Sequence, residues 1–220
     1  MAAGRGLRMG KETAKQYLSI AGVPMVLRAL RPFTSHPDVA QVVLVLPPED
    51  ASHPPAFLSD LSRLSVVPGG PHRGDSVRAG LSALGKECQV VLVHDGARPF
   101  VDRAVIEAVI GLARGGEGAV PAVPVSDTLK EASAADSTLI KCTRPRARLW
   151  RAQTPQGFPR TVLEEAHARA ARDGHRATDD AALVEALGIR VRLVPDSSRN
   201  LKVTTPEDLA LAELLAGASP

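Results

Sequence analysis

Aromatic side chains are scarce in this chain, with Phe, Trp and Tyr together making up 3% of 220 residues. Few flat rings are left on which bases could stack, and a formal net charge of +3 is too small for a basic groove. Nucleic acid is therefore not the expected partner. Cysteine is nearly as sparse: Cys88 and Cys142 lie far apart, without the paired spacing of a zinc site, and read as reduced structural thiols of a cytoplasmic protein. No apolar run approaches the ~20 residues of a membrane span, and the start lacks the charged-then-apolar pattern of a leader, so no membrane partner is expected. Nucleophile machinery is missing too. There is no serine-histidine-acid or cysteine-histidine arrangement, and none of the six histidines stands at metalloprotease spacing. A reaction whose attacking group is itself a phosphate, largely dianionic above its second pKa of ~6, needs no such base. Its barrier lies in bringing anions together, which positioning and charge neutralisation lower.

What is present is an alternation. Short β-branched runs at 41–47 (QVVLVLP), 64–68, 90–94 (VVLVH) and 119–125 read as buried strands, and amphipathic segments lie between them. Helices are expected over 24–34, after Asp102 as N-cap with Val105, Ala108, Val109 and Leu112 inward, and over 159–173, 179–187 and 205–215. The last has Thr205 at the cap, Pro206 at the first position and Glu207 and Asp208 in the first turn. Continuous apolar strands separated by helices imply an α/β fold: a Rossmann-like, mainly parallel sheet with helices on both faces. Residues 1–220 read as one domain, from which the polar segment 126–146 (SDTLKEASAADSTLIKCTRPR) projects as a β arm.

Ligands in such sheets sit at the carboxyl ends of the strands, and the loops there carry the chemistry. The segment AAGRGLRMG interleaves Gly4, Gly6 and Gly10, which permit positive φ and close backbone approach to an anion, with Arg8, and Lys15 follows. Asp95 and Arg98 of HDGARP follow the strongest strand. Asp95 can hold a cation or a sugar hydroxyl, or bond its own turn. GGPHRGDS at 69–76 suits either a nucleobase edge read by backbone groups or a plain strand-to-helix turn, with Asp75 or Ser76 as cap. Thr154 and Thr178 place hydroxyls before helices, where capping is the simpler role. Lys202, in the strand-like 200–204, must reach solvent or meet an anion. Arg144, Arg146 and Arg148 form either a solvated face or a set of phosphate forks.

Taken together, AAGRGLRMG with KQYL, GG followed by GDSV, VHDGARPF, PVSDTLK, TPQGF, ATDDA and LKVTTPEDLALAE make the chain resemble the methylerythritol phosphate cytidylyltransferases over nearly all its length. These enzymes couple CTP to a methylerythritol phosphate in non-mevalonate isoprenoid synthesis. The resemblance implies that the loop of Ala2, Ala3, Gly4 and Gly6 contacts CTP, with Arg8 and Lys15 stabilising the pentavalent transition state. It implies cytosine recognition at Gly70 and Ser76. Asp95, Arg98, Thr154, Thr178 and Lys202 would hold the methylerythritol phosphate, with Lys202 positioning its phosphate for attack. Thr128 and Arg146 would reach from the arm into the partner's site of a homodimer, and Mg²⁺ would be bound mainly through the nucleotide phosphates, with no metal-ligating residue assigned.

The chain departs from the family at its start, where Met1 directly precedes Ala2 and the usual apolar first strand is not found; the expectation is a start codon placed too late, and the alternative is a truncated chain that closes its sheet without that strand. Ala14 stands in place of a proline, and Pro71 in place of a common acidic residue in the cytosine loop. The nearest alternative keeps the chemistry and changes the acceptor to ribitol 5-phosphate. A non-catalytic CTP-binding module is a further one. A dinucleotide oxidoreductase is disfavoured because the glycines are spaced GxGxxxG and no acidic residue follows a second strand at the expected place.

Overall fold

The apolar runs become strands wherever both of their faces find a helix to pack against. The computed structural model of the chain describes residues 1–4 and 14–218. A 3-10 turn at Lys15–Tyr17 leads to a small hairpin of β1 (Ser19–Ile20) and β2 (Val23–Pro24), then α1 (Met25–Thr34), β3 (Val42–Leu46) and the short α2 (Pro48–Ser52). Next come a second 3-10 turn at Ala56–Leu58, β4 (Leu64–Pro68), α3 (Arg73–Ser82), β5 (Val90–Val93), α4 (Arg103–Arg114) and β6 (Gly118–Pro124). The chain continues through β7 (Leu129–Ala132), β8 (Ile140–Arg144), β9 (Trp150–Ala152), β10 (Gln156–Pro159), α5 (Arg160–Arg172), α6 (Asp180–Glu185), β11 (Val191–Pro195) and α7 (Pro206–Gly217).

Five strands form one sheet in the order β11-β6-β10-β5, with β9 also on β6. β6 and β11 are parallel, whereas β10 runs antiparallel between β6 and β5. The architecture is the expected α/β one with helices on both faces, and its sheet carries this reversed strand near its middle. Alternation along β5 explains the two layers: Val91 and Val93 join Val77, Leu163 and Leu183 of α3, α5 and α6, while Leu92 packs with Val105 and Val109 of α4. Gly157 of β10 lets α4 approach, since a Cβ there would lie 2.3 Å from Val109 Cγ1. The buried stripe of α4 is Val105, Ile106, Val109, Ile110 and Ala113. Ala108, expected to face inward, is exposed, because the helix presents the adjacent isoleucines to the core instead.

A second, two-stranded sheet pairs β3 with β4 in parallel. Among the described residues β3 pairs with β4 alone and β5 with β10 alone, so two sheet edges face each other across a gap. Among those residues, the first ones of the chain bridge it. Ala2 N–H donates to Val45 O at 2.9 Å, the Met1 ammonium donates to His94 O at 2.7 Å, and Gly96 N–H donates back to Met1 O at 2.9 Å. The exchange between Met1 and the His94–Gly96 segment is that of a single parallel bridge. The gap is a cavity of about 370 Å³ lined by residues of β3 and β5 and by Leu30, Phe33, Leu81 and Ile110.

The segment 126–146 contains the antiparallel hairpin β7–β8, irregular between Glu131 and Ala132. Leu139 and Ile140 at its turn are more than half exposed. Lys141 and Arg144 both pair with Glu131 across the hairpin. No helix in the described residues is long and apolar enough to cross a membrane.

Candidate active site

The carboxyl end of β5 and the loops beside it gather polar groups that a core could not hold unpaired. Asp95 is mostly buried, and its Oδ2 lies 2.8 Å from Lys202 Nζ and 3.9 Å from Arg98 Nε. Burial by itself would raise the carboxyl; the Lys202 ammonium outweighs it and holds Asp95 down at about 2. Arg98 is buried and donates through Nη1 to Asn200 O at 2.6 Å. Asn200 donates in turn to Thr154 O at 2.9 Å and to Asp196 Oδ2 at 2.7 Å. Gln153 Nε2 closes the network on Ser197 O and Asn200 O, each at 3.1 Å. Thr154 Oγ1 accepts from Asp95 N–H at 3.1 Å and lies 3.0 Å from His94 Nδ1. Asp95, Arg98, Thr154 and Lys202 thus form one hydrogen-bonded group drawn from three distant parts of the chain.

Two details differ from the sequence expectation. Thr154 caps no helix, because the unforeseen strand β10 follows it at once. Lys202 sits in an extended loop rather than a strand, held by Val203 N–H donating to Ala97 O at 2.9 Å.

The GG loop stands across the bridge from this group. Gly70 N–H donates to Ser76 Oγ at 3.1 Å, which folds the loop over the start of α3. Ser76 and Asp75 are therefore not the helix cap: His72 holds that position, and Asp75 reaches back to accept from its N–H at 3.0 Å. The loop lies close against the N-terminal segment, since a Cβ on Gly69 would come within 2.5 Å of Ala3 Cβ. Gly4 stays outside the left-handed region, so its expected positive φ is not found, and a Cβ there would meet nothing. Arg8, Gly6 and Gly10 lie outside the described residues. Lys15 opens the turn that leads to β1.

Behind the GG loop lies a buried ion cluster that the sequence reading missed. Asp180 is fully buried; its Oδ2 is 2.5 Å from Arg73 Nη2 and its Oδ1 2.9 Å from His167 Nε2. Burial alone would raise the Asp180 carboxyl, and hydrogen bonds from His167 and Arg73 bring it below the usual range. Gln156 Oε1 accepts from the Asp180 and Ala181 amides, and its Nε2 donates to Asp179 Oδ2 at 2.8 Å. Asp179 caps α6 by accepting from Ala182 N–H at 3.1 Å, which leaves its neighbour Thr178 exposed and without that role. Arg73, Asp180, Asp95 and Lys202 all act on the buried Met1 ammonium, whose pKa burial lowers. The two loops therefore share one electrostatic neighbourhood. Thr128 and Arg146 are exposed at the base of the hairpin, where Arg146 donates to Ser126 O; among the described residues no hydrogen bond or ion pair joins them to the Asp95 group. Arg144 is committed to Glu131, while Arg148 is exposed.

An α/β sheet whose strand ends carry a loop folded onto Ser76 and the cations Arg98 and Lys202 has the layout of a site for a phosphorylated ligand. Residues 1–217 match the family described as IspD, 2-C-methyl-D-erythritol 4-phosphate cytidylyltransferase. The chain is 44% identical to the 2-C-methyl-D-erythritol 4-phosphate cytidylyltransferase of Pelotomaculum thermopropionicum, over 99% of this chain and 92% of that one. It is 44% identical to the bifunctional enzyme IspD/IspF of Rhodopseudomonas palustris (strain BisB18), of which it spans 55%. The crystal structure of the Thermus thermophilus 2-C-methyl-D-erythritol 4-phosphate cytidylyltransferase superimposes with a TM-score of 0.83 at 38% identity, covering 99% of this chain and 96% of that one. The chain is a nucleotidyltransferase, and it belongs to the 2-C-methyl-D-erythritol 4-phosphate cytidylyltransferase family.

Proposed function

We propose that the cleft at the carboxyl ends of β4 and β5 is where this member of the family transfers a cytidylyl group from CTP to 2-C-methyl-D-erythritol 4-phosphate, giving CDP-methylerythritol and pyrophosphate. The observation that carries the residue assignment is the group Asp95, Arg98, Thr154 and Lys202, with Lys202 Nζ 2.8 Å from Asp95 Oδ2, set beside the Ala3–Gly69 contact. CTP lies along Ala2, Ala3, Gly4 and Gly6, with its base against Gly70 and Ser76, where amides and a hydroxyl supply an edge to read. Arg8 and Lys15 neutralise the phosphorus in flight, and the sugar phosphate rests on Asp95, Arg98, Thr154, Thr178 and Lys202. An incoming phosphate competes with Asp95 for the Lys202 ammonium, so that Lys202 holds the nucleophile while Asp95 is freed to accept from a sugar hydroxyl. The attacking phosphate oxygen needs no base, and pyrophosphate leaves in line.

A divalent cation, Mg²⁺, would be held by the nucleotide phosphates and would supply charge neutralisation there. The carboxylate of this group, Asp95, faces Lys202. Residues 1–220 act as one cytoplasmic domain. Its hairpin, with Leu139 and Ile140 exposed, meets a second copy together with the neighbouring Leu149 and Trp150, each at least a third exposed, and carries Thr128 and Arg146 into the partner's cleft.

Pyrophosphate release from CTP and methylerythritol phosphate with Mg²⁺, beside ribitol 5-phosphate, tests the acceptor. A higher kcat/KM with ribitol phosphate would overturn it. A mixture of Arg8→Ala and Arg146→Ala chains tests the exchange of arms: recovered activity is expected from one restored site, and a mixture as inactive as its parents would refute it.

A further inference from the structure

His94 ends the buried run of β5, its ring tilted against Phe33 with centroids 4.9 Å apart. Its two nitrogens meet different partners. Nε2 lies 3.0 Å from Arg98 O, and Nδ1 lies 3.0 Å from Thr154 Oγ1. A carbonyl oxygen can only accept, so Nε2 carries hydrogen. Burial pushes the imidazole down to about 4, so the ring is neutral near pH 7 and Nδ1 keeps its lone pair. The Thr154 hydroxyl must then donate its single hydrogen to Nδ1, while the same oxygen accepts from Asp95 N–H at 3.1 Å. What remains of Thr154 for any ligand is one lone pair.

We propose that His94 is a positioning residue for the acceptor substrate: by taking the Thr154 hydrogen it fixes that hydroxyl as a pure acceptor, so that Thr154 reads a hydroxyl of the sugar phosphate and rejects its phosphate. This rests on the placement of the sugar phosphate at Thr154 given above. Asp95, ionised at neutral pH, is also acceptor-only. The side chains of Asp95 and the buried Thr154 therefore offer only acceptors, which suit neighbouring polyol hydroxyls, and the donors Lys202 and Arg98 are left for the anionic end. The phosphate of a ligand turned end for end would meet lone pairs at Asp95 and Thr154, which repel it. The division of labour sets which way round the sugar phosphate lies, and hence which of its oxygens faces the nucleotide.

The first test needs no variant and no ligand. Nitrogen-15 spectra of the histidine rings in the whole protein at pH 7 should show His94 neutral with its hydrogen on Nε2; a hydrogen on Nδ1, or an imidazolium, overturns the proposal. The second is kinetic. Thr154→Val is expected to raise KM for methylerythritol phosphate about tenfold with KM for CTP unchanged. His94→Phe, which keeps a ring against Phe33 but loses the acceptor, should do the same, and the double variant should be no worse than either single one. His94→Asn, whose Oδ1 can stand where Nδ1 did, should restore most of the loss. Multiplying effects in the double variant, or no restoration by Asn, overturns the proposal even if the Phe variant folds poorly. An unchanged KM in Thr154→Val, with the Nε2–H form present, instead removes the sugar from Thr154 and so overturns both that placement and what Thr154 is said to read.

Discussion

Replacing Asp180 with Asn keeps the shape of a fully buried side chain and deletes its charge. In the native cluster Oδ2 meets Arg73 and Oδ1 meets His167, so the carboxylate satisfies two donors at once. An amide can still accept from His167, but its NH₂ would face the Arg73 guanidinium, donor against donor. Breaking a buried pair by removing one partner costs about 3–5 kcal/mol. Arg73 is about a third exposed (32%), so part of its charge can turn to water, and the lower half of that range is expected. For a chain of this size each kcal/mol moves Tm by about 2–4 °C, which puts the loss at about 6–16 °C. Thermal unfolding of Asp180→Asn should be read beside Asp173→Asn, which removes the partner of the exposed Arg169 and should cost under about 1 kcal/mol. An Asp180→Asn protein that melts within a degree or two of the Asp173→Asn control would refute the view that this cluster ties the loop before α3 to α6.

Lys202→Met removes the cation that holds Asp95 at about 2 instead of its ordinary 3.8, a contribution of about 2 kcal/mol. Because the folded value is the lower one, that stability is complete above pH 3.8 and lost as pH falls through 2. Urea midpoints of the two proteins should therefore differ at pH 6 and converge toward pH 2, and a constant difference would count against the pairing. Thr205→Ala deletes the hydroxyl that accepts from Asp208 N–H at 3.2 Å at the start of α7, and a loss of about 1 kcal/mol is expected in the same assay. Gly70→Ala would place a Cβ 2.3 Å from Asp75 Cβ and displace the GG loop. It should raise KM for CTP about tenfold and leave that for the sugar phosphate alone, whereas equal changes in both would show that the loop does not serve the base.

The strands legible in the sequence were those rich in valine and leucine, such as Val42–Leu46 and Leu64–Pro68, where composition alone carries the signal. The missed ones carry none. Gln156–Pro159 contains no β-branched residue, and Trp150–Ala152 and Val191–Pro195 interleave arginine with apolar side chains and stand largely exposed. In the site, Asp95 and Arg98 were legible because they directly follow a strong strand. Thr154 and Lys202 were named from their local settings, but what they touch was not readable. The partners of Thr154 are 46, 59 and 60 residues away, at Asn200, Asp95 and His94. A histidine next to a strand-end aspartate was visible all along; the two nitrogens that give it a role required the fold. Asp180 looked like an ordinary residue of the helix start until Arg73 came to it from 107 residues away.

The gap between β3 and β5 has a consequence for how two substrates are brought together. The GG loop belongs to the half of the molecule that holds β4, and Asp95 and Thr154 belong to the half that holds β5. The main-chain ties across the gap described above run through Met1 and Ala2. Phosphoryl chemistry demands that reacting atoms close to about 3–3.5 Å, and an ångström of slack between halves lowers rate far more than it lowers affinity. Whatever lies along those two strand edges thus works as a spacer for the reaction. A change in what lies along those edges would register in kcat more than in KM.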